Sequence, residues 1–261
     1  LAAVRVNGSV MAMELGGTYA LTVSLTEGAN TLTFEADDRA GNTQSRTVHV
    51  TRDSTAPGLV VTSPAEGARI AALSTQVQGT VNDASTVTVT INDVSVAVNG
   101  DGSFSATAIL SAGANTLRVV ARDSAGNETV VERGIRANVI PPAILLTAPV
   151  EGQVTRGESL LVQGWVSPGD PGDQASEVIL RVQGAVVGVG QDGSFSVSVA
   201  LSGSTATVAA TDLYGLTSQV VRTVVIDQVA PVIEVGGIAD GERRNGPVTI
   251  TFTATDPHLT S

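Results

Sequence analysis

Residues 103–110 read SFSATAIL, with polar and apolar side chains taking turns along them. Phe104, Ala106, Ala108 and Leu110 fall on one face, as do Phe195, Val197, Val199 and Leu201 later in the chain and Tyr19, Leu21, Val23 and Leu25 earlier. A period of two is that of a β-strand with one buried face, so these segments are predicted strands whose apolar face is core. The same criterion places seven strands between residues 58 and 142: A near 58–62, B 75–81, C 86–91, a short C′ 94–98, E 103–110, F 116–122 and G 128–136. Short strands parted by regular turn signals predict two antiparallel sheets packed as a sandwich.

The strands recur because the sequence does. TSPAEG at 62–67 returns as TAPVEG at 147–152, VQGTV at 77–81 as VQGWV at 162–166, and DGSFS at 101 again at 192, with GGTYA at 16 as a weaker counterpart. DDRAGN (37–42), RDSAGN (122–127) and TDLYGL (211–216) form a third series, and STAP (54–57), VIPP (139–142) and QVAP (228–231) a fourth. Their fixed order divides the chain into complete units at 58–142 and 143–231, flanked by a part with only the later landmarks, 1–57, and a part with only the first, 232–261. Residues 232–261 then hold strands A and B, and residues 1–57 the remaining strands.

Joined tail to head, the two flanks make one further unit of intermediate length, and the join runs strand, loop, strand. The expectation is that Ser261 of one copy lies beside Leu1 of another, with Val248, Ile250 and Phe252 of strand B packed against residues 18–36. Ile233, Val235, Val248, Ile250 and Phe252 sit on inward positions, and burying a large apolar side chain contributes about 1.5–3 kcal/mol. Together these are comparable to the whole stability of a small domain, about 5–15 kcal/mol. Completion along one continuous polypeptide and strand donation between separate chains both satisfy the pattern.

DGSFSATAILSAGANTLRVVARDSAGNE, followed by an Ala-Pro linker, resembles the tandem Ig-like repeats of large bacterial surface and secreted proteins, and the resemblance covers the whole chain. It implies an all-β fold, tandem Ig-like antiparallel sandwiches in a linear array, on the cell surface or secreted. The third unit departs from the pattern where TDLYGL replaces the Ala-Gly-Asn turn and SPGDPGDQAS lengthens the BC loop.

Composition narrows the function. A net charge of −11 and no basic stripe disfavour nucleic acid and anionic lipid. No apolar run reaches the roughly 18 residues of a membrane span. Cysteine is absent, and all 14 basic residues are arginine, so disulfides, thiol catalysis and lysine isopeptide crosslinks have no residues here. GVGQDG at 188–193 satisfies G-x-G-x-x-G but leads into a strand rather than a helix, so it reads as a hairpin turn and not a dinucleotide site. His49 and His258 read as solitary surface residues.

Two features remain as candidate sites. Trp165 stands at the position of Thr80, on the outward face of strand B; either Pro168 and Pro171 fold over it, or it offers a lateral contact or a sugar-stacking platform. The acids are the other. The BC and FG loops crowd the end where the chain arrives from the preceding sandwich, which brings Asp53 of the linker toward Asp83 and Asp123, with Asp101 nearby. At the next acidic junction it brings Asp227 toward Asp256, with Asp38 supplied by the completing copy. Several carboxylates with loop carbonyls suit Ca²⁺, a hard cation taking about 6–8 oxygens. Asx turns are the alternative reading. The junction at 138–142 has no acid in its linker and is expected to be stiffened by its two prolines.

The sequence thus predicts a non-catalytic extracellular spacer, stalk or filament unit that assembles end to end with further copies of itself. The runner-up is an adhesin or carbohydrate-binding accessory module with a host or matrix ligand. A strand of about 7 residues spans about 23 Å, so each sandwich with its loops should extend roughly 40 Å and the block roughly 120 Å.

Overall fold

The computed structural model describes residues 2–12 and 18–258; the expected contacts of Leu1 and Ser261 lie outside the described residues. The fold is all-β, with one turn of 3₁₀-helix at Ala175–Glu177 as the helical element among the described residues. Among the described residues no helix is long and apolar enough to cross a membrane. The chain divides into two compact units, Leu1–Glu66 with Thr75–Ala108 and Thr116–Gly134, and Gly67–Ser74 with Ile109–Asn115 and Ile135–Ser261.

The first four strands, β1 (Ala3–Val6), β2 (Ser9–Val10), β3 (Gly28–Asp37) and β4 (Thr43–Arg52), form one sheet in the order β2-β1-β3-β4. The next repeat contains β5 (Gly58–Ser63), β6 (Arg69–Ile70), β7 (Ser74–Asn82), β8 (Thr88–Ile91), β9 (Val94–Val96), β10 (Ser103–Ile109), β11 (Gly113–Arg122) and β12 (Glu128–Ala137). They make two sheets, β10-β7-β5 and β6-β12-β11-β8-β9. Each predicted strand of this repeat is present; the element the periodicity does not reveal is β6, whose two residues pair in parallel with the end of β12.

The third repeat has the same plan: β13 (Ala143–Ala148), β14 (Gln153–Thr155), β15 (Leu160–Ser167), β16 (Ile179–Val182), β17 (Ala185–Val187), β18 (Ser194–Val199), β19 (Thr205–Thr211) and β20 (Thr217–Ile226). Its sheets are β13-β15-β18 and β14-β20-β19-β16-β17. Leu160, Val162, Leu180, Val182, Phe195 and Val208 are the centre of its core. Gly164 is required there because a Cβ would stand 2.0 Å from the Leu145 carbonyl oxygen, beside the register shift between Leu146 and Ala148.

The last described strands, β21 (Val232–Gly236) and β22 (Thr251–Thr255), pair with each other in unbroken register. Val235 faces Phe252 as Leu146 faces Gly164, so Phe252 takes the glycine position in a hairpin where no such shift occurs.

Each of the two flanking parts forms a single sheet among the described residues. The sheet β2-β1-β3-β4 repeats the order β9-β8-β11-β12, but no second sheet covers it among the described residues. Phe34 therefore lies 38% exposed where its counterparts Val119 and Val208 are at 0%. Residues 20–25, predicted to be a strand, are irregular, because the strand B that would pair with them is absent from this part. At the other end Ile250 is 53% exposed where Val77 and Val162 are at 0%, and Val248 and Phe252 are exposed too.

Candidate functional site

In each repeat the linker is held by the same device, an Asx turn five residues (counting both ends) before the loop ends in proline. Asp53 Oδ1 accepts from the Thr55 N–H at 3.1 Å, Asn138 Oδ1 from Ile140 at 3.0 Å, and Asp227 Oδ1 from Val229 at 2.9 Å. The three linkers differ in charge, since the middle one carries an amide where the others carry an acid.

At the first junction the structure brings Asp53, Asp83 and Asp123 together, with one carboxylate oxygen of each within 4.8 Å of the others. Asp83 and Asp123 arrive from the BC and FG loops. Asp123 is buried, and its Oδ1 caps the FG turn by accepting from the Gly126 and Asn127 N–H groups at 2.6 and 2.8 Å. Burial works against its ionisation, but the hydrogen bonds from Asn127 and the turn outweigh it and hold the carboxyl below its ordinary value. Asn127 also donates to the Asp53 carbonyl at 3.1 Å, and Thr129 to the Pro57 carbonyl at 2.7 Å, which ties the linker to the sandwich it enters. Asp101 is engaged in its own hairpin with Ser103 and is not a member of this group.

At the third junction Asp227 and Asp256 come together with His258, whose Nδ1 is 2.8 Å from Asp227 Oδ2. His258 is not the solitary residue the sequence suggests; Asp227 is distant in the chain, and only the fold makes them neighbours. The backbone N–H of Val229, chiefly, keeps the Asp227 carboxyl below its usual range. Asp38 sits in its own turn, accepting from Ala40 and Asn42 at 2.8 and 2.9 Å.

The second junction corrects the expectation of a prolyl joint without acids. The lengthened BC loop delivers Asp170 and Asp173, both buried, and the FG turn delivers Tyr214. Arg136 grips Asp170 through Nε at 3.0 Å and Nη2 at 2.7 and 2.8 Å, and the Tyr214 hydroxyl donates to the same carboxylate. Arg69 pairs with Asp173, and its guanidinium lies 5.4 Å over the Tyr214 ring. The Arg136 guanidinium, above all, drives the Asp170 carboxyl far below the carboxylate range against the opposing effect of burial. The linker bonds of the first junction are missing here. Leu216 replaces Asn127, which leaves Asp212 Oδ2 buried without a partner, and Ser218 Oγ, at the place of Thr129, is likewise unpartnered among the described residues.

Trp165 faces outward from β15 and is 47% exposed, so Pro168 and Pro171 do not cover it; opposite it in register stands Leu145, also exposed. The GVGQDG segment is a hairpin turn, closed by the Gly193 N–H donating to the Gly190 carbonyl at 2.9 Å.

The family model described as "Glucodextranase, domain B" matches residues 1–54, 57–139 and 142–228. Bacillopeptidase F of Bacillus subtilis (strain 168) is 33% identical over 148 residues, 56% of this chain and 10% of that protein. The chain thus spans about a tenth of the length of this relative. Among solved structures, the fibronectin(III)-like modules of Clostridium thermocellum CbhA align at 20% identity over 65% of this chain and 94% of theirs, with a TM-score of 0.42. A tetra-tandem repeat from the extending region of a large adhesion protein aligns at 21% identity over 97% of this chain and 79% of its own, with a TM-score of 0.34. With its three matched segments spread over most of its length, the chain belongs to the glucodextranase domain B family of Ig-like modules.

Proposed function

We propose that the chain is a non-catalytic spacer of an extracellular bacterial protein, an array of Ig-like sandwiches that holds other parts of the molecule apart. The observation that carries this reading is side-chain fastening at two successive junctions: Asn127 and Thr129 bond the carbonyls of the first linker, and Arg136 at the end of β12 grips Asp170 in the BC loop of the following sandwich. Side chains that fix the angle between sandwiches serve a molecule whose task is length and direction.

In the same reading the half-sandwiches are parts of whole ones. Strands β21 and β22 supply A and B, residues 2–54 supply the others, and another copy of this block provides the complement, which buries Phe34 on one side and Ile250 and Phe252 on the other. The first and third junctions hold Ca²⁺. Asp53, Asp83 and Asp123 offer it hard oxygen ligands, and Asp227 and Asp256 do the same beside His258.

Hydrogen exchange on two blocks fused in tandem, Ser261 to Leu1, tests completion. The amides of residues 20–25 in the second block are expected to become protected, while those of the first block exchange as in the single chain. Equal exchange in both blocks would contradict it.

A further inference from the structure

On the end of the second sandwich that faces the third, Arg69 and Arg136 are partners in the parallel pairing of β6 with β12. Two guanidinium groups on adjacent strands repel each other unless anions lie between them. The corresponding pair of the third sandwich, Val154 and Val225 in the pairing of β14 with β20, is apolar. The acids that answer the arginines lie in features peculiar to the third repeat: Asp170 and Asp173 in its lengthened BC loop, and Tyr214 in its altered FG turn.

We propose that the Arg69–Arg136 pair and the Asp170–Asp173–Tyr214 group are a matched interface, specific for each other, which fixes the third sandwich behind the second with guanidinium groups in the role of a bound cation. Three observations converge on this. The linker residue at this junction is Asn138, so the carboxylate that the other two junctions carry has been neutralised where arginine supplies the positive charge. The side-on Arg136–Asp170 contact uses two parallel N–H···O bonds, a geometry that specifies orientation as well as attraction. The Arg69 guanidinium is stacked over Tyr214 while Tyr214 itself bonds Asp170, so the two ion pairs are cross-linked into one network. Neither the first nor the third repeat presents an arginine pair at this place: Thr51 stands at the position of Arg136 in one and Val225 in the other. The end of the third sandwich therefore accepts the second and disfavours the others, because Asp170 and Asp173 would be left buried without their charge partners.

The chain has no cysteine, so the full 261-residue protein can be spin-labelled at Thr107→Cys and Ser198→Cys, equivalent exposed positions in the second and third sandwiches. Electron–electron distance measurement is expected to give one narrow distribution, identical in EDTA and in CaCl₂. Arg69→Val with Arg136→Val, which copies the third sandwich, should broaden it, and Tyr214→Phe, which removes only a hydroxyl, should broaden it less. Arg136→Asp with Asp170→Arg, which exchanges the charges, should be narrower than either single variant. Circular dichroism of each labelled variant checks that its sandwiches remain folded. A wild-type distribution that narrows only when calcium is added, or one unchanged by the double valine variant, would overturn the proposal.

Discussion

Arg136 Nη2 lies 2.7 Å from Asp170 Oδ1, and Arg136 Nε 3.0 Å from Oδ2, so a residue at the end of one sandwich and a residue in a loop of the next share a two-point ion pair. Around the Asp170 carboxylate stand Arg136 and Tyr214, with Asp173 in the same loop, Asp212 in the FG turn and Arg69 on β6. The folded state holds this carboxyl below its ordinary value, so its contribution to stability is fully present above the unfolded value, about 3.9, and is lost as the pH falls from there through the depressed folded value. The narrow label distance between the second and third sandwiches is therefore expected to persist from neutral pH to about pH 5 and to widen in stronger acid. In Asp170→Asn it should be wide at neutral pH already and change little with acid.

Core and surface positions of the third sandwich should respond very differently to truncation. Leu180 is fully buried, so Leu180→Ala should cost about 2–5 kcal/mol in urea unfolding. Trp165→Ala removes a larger side chain from an exposed position and should cost less than about 1 kcal/mol. A glycan array on the wild type tests whether that exposed indole binds sugar; no bound glycan is expected from a spacer.

Gly164→Ala places a methyl group against the Leu145 carbonyl and should destabilise the third sandwich by about 1–3 kcal/mol. Gly79→Ala should do the same in the second, where the Cβ would meet the Val60 carbonyl at 2.3 Å and the Phe104 ring. Thermal unfolding of the two variants is the check.

Calcium should raise the melting temperature of the wild-type chain through the Asp53, Asp83 and Asp123 group and the Asp227 and Asp256 group; Asp53→Ala should reduce that rise, and Asp53→Ala with Asp227→Ala should abolish it. The Tyr214→Phe variant should respond to calcium as the wild type does, since its junction is held by arginine. A melting curve indifferent to calcium would remove the metal from the account and leave the Asx-turn role of Asp53.

The sandwiches were legible in the sequence because their strands alternate strictly and their landmarks recur in order. Residues 103–110 and 194–201 carry the fold almost unaided. The two-residue β6 was not legible, since two residues have no periodicity, and it is this element that aligns Arg69 with Arg136. The Asp53, Asp83 and Asp123 group could be anticipated because all three lie in loops whose crowding follows from the topology. The charged network of the second junction could not, because its acids lie in a loop extension without a counterpart in the other repeats and its arginines resemble any surface arginine of a strand. The departure of SPGDPGDQAS and TDLYGL from the repeat was itself the available signal: the one insertion and the one altered turn fall at the same end of one sandwich. Residues 20–25 carry a strand pattern without a strand; their counterparts β10 and β18 pair with β7 and β15, and no such pairing is made by residues 20–25 among the described residues.

Small-angle X-ray scattering of the 261-residue chain, in calcium and at low protein concentration, tests the spacer reading most directly. Sandwiches of roughly 40 Å placed end to end over about 120 Å give a radius of gyration of about 35 Å, the value expected here. A compact body of the same chain length would give about 18 Å, and a value near that would contradict the account.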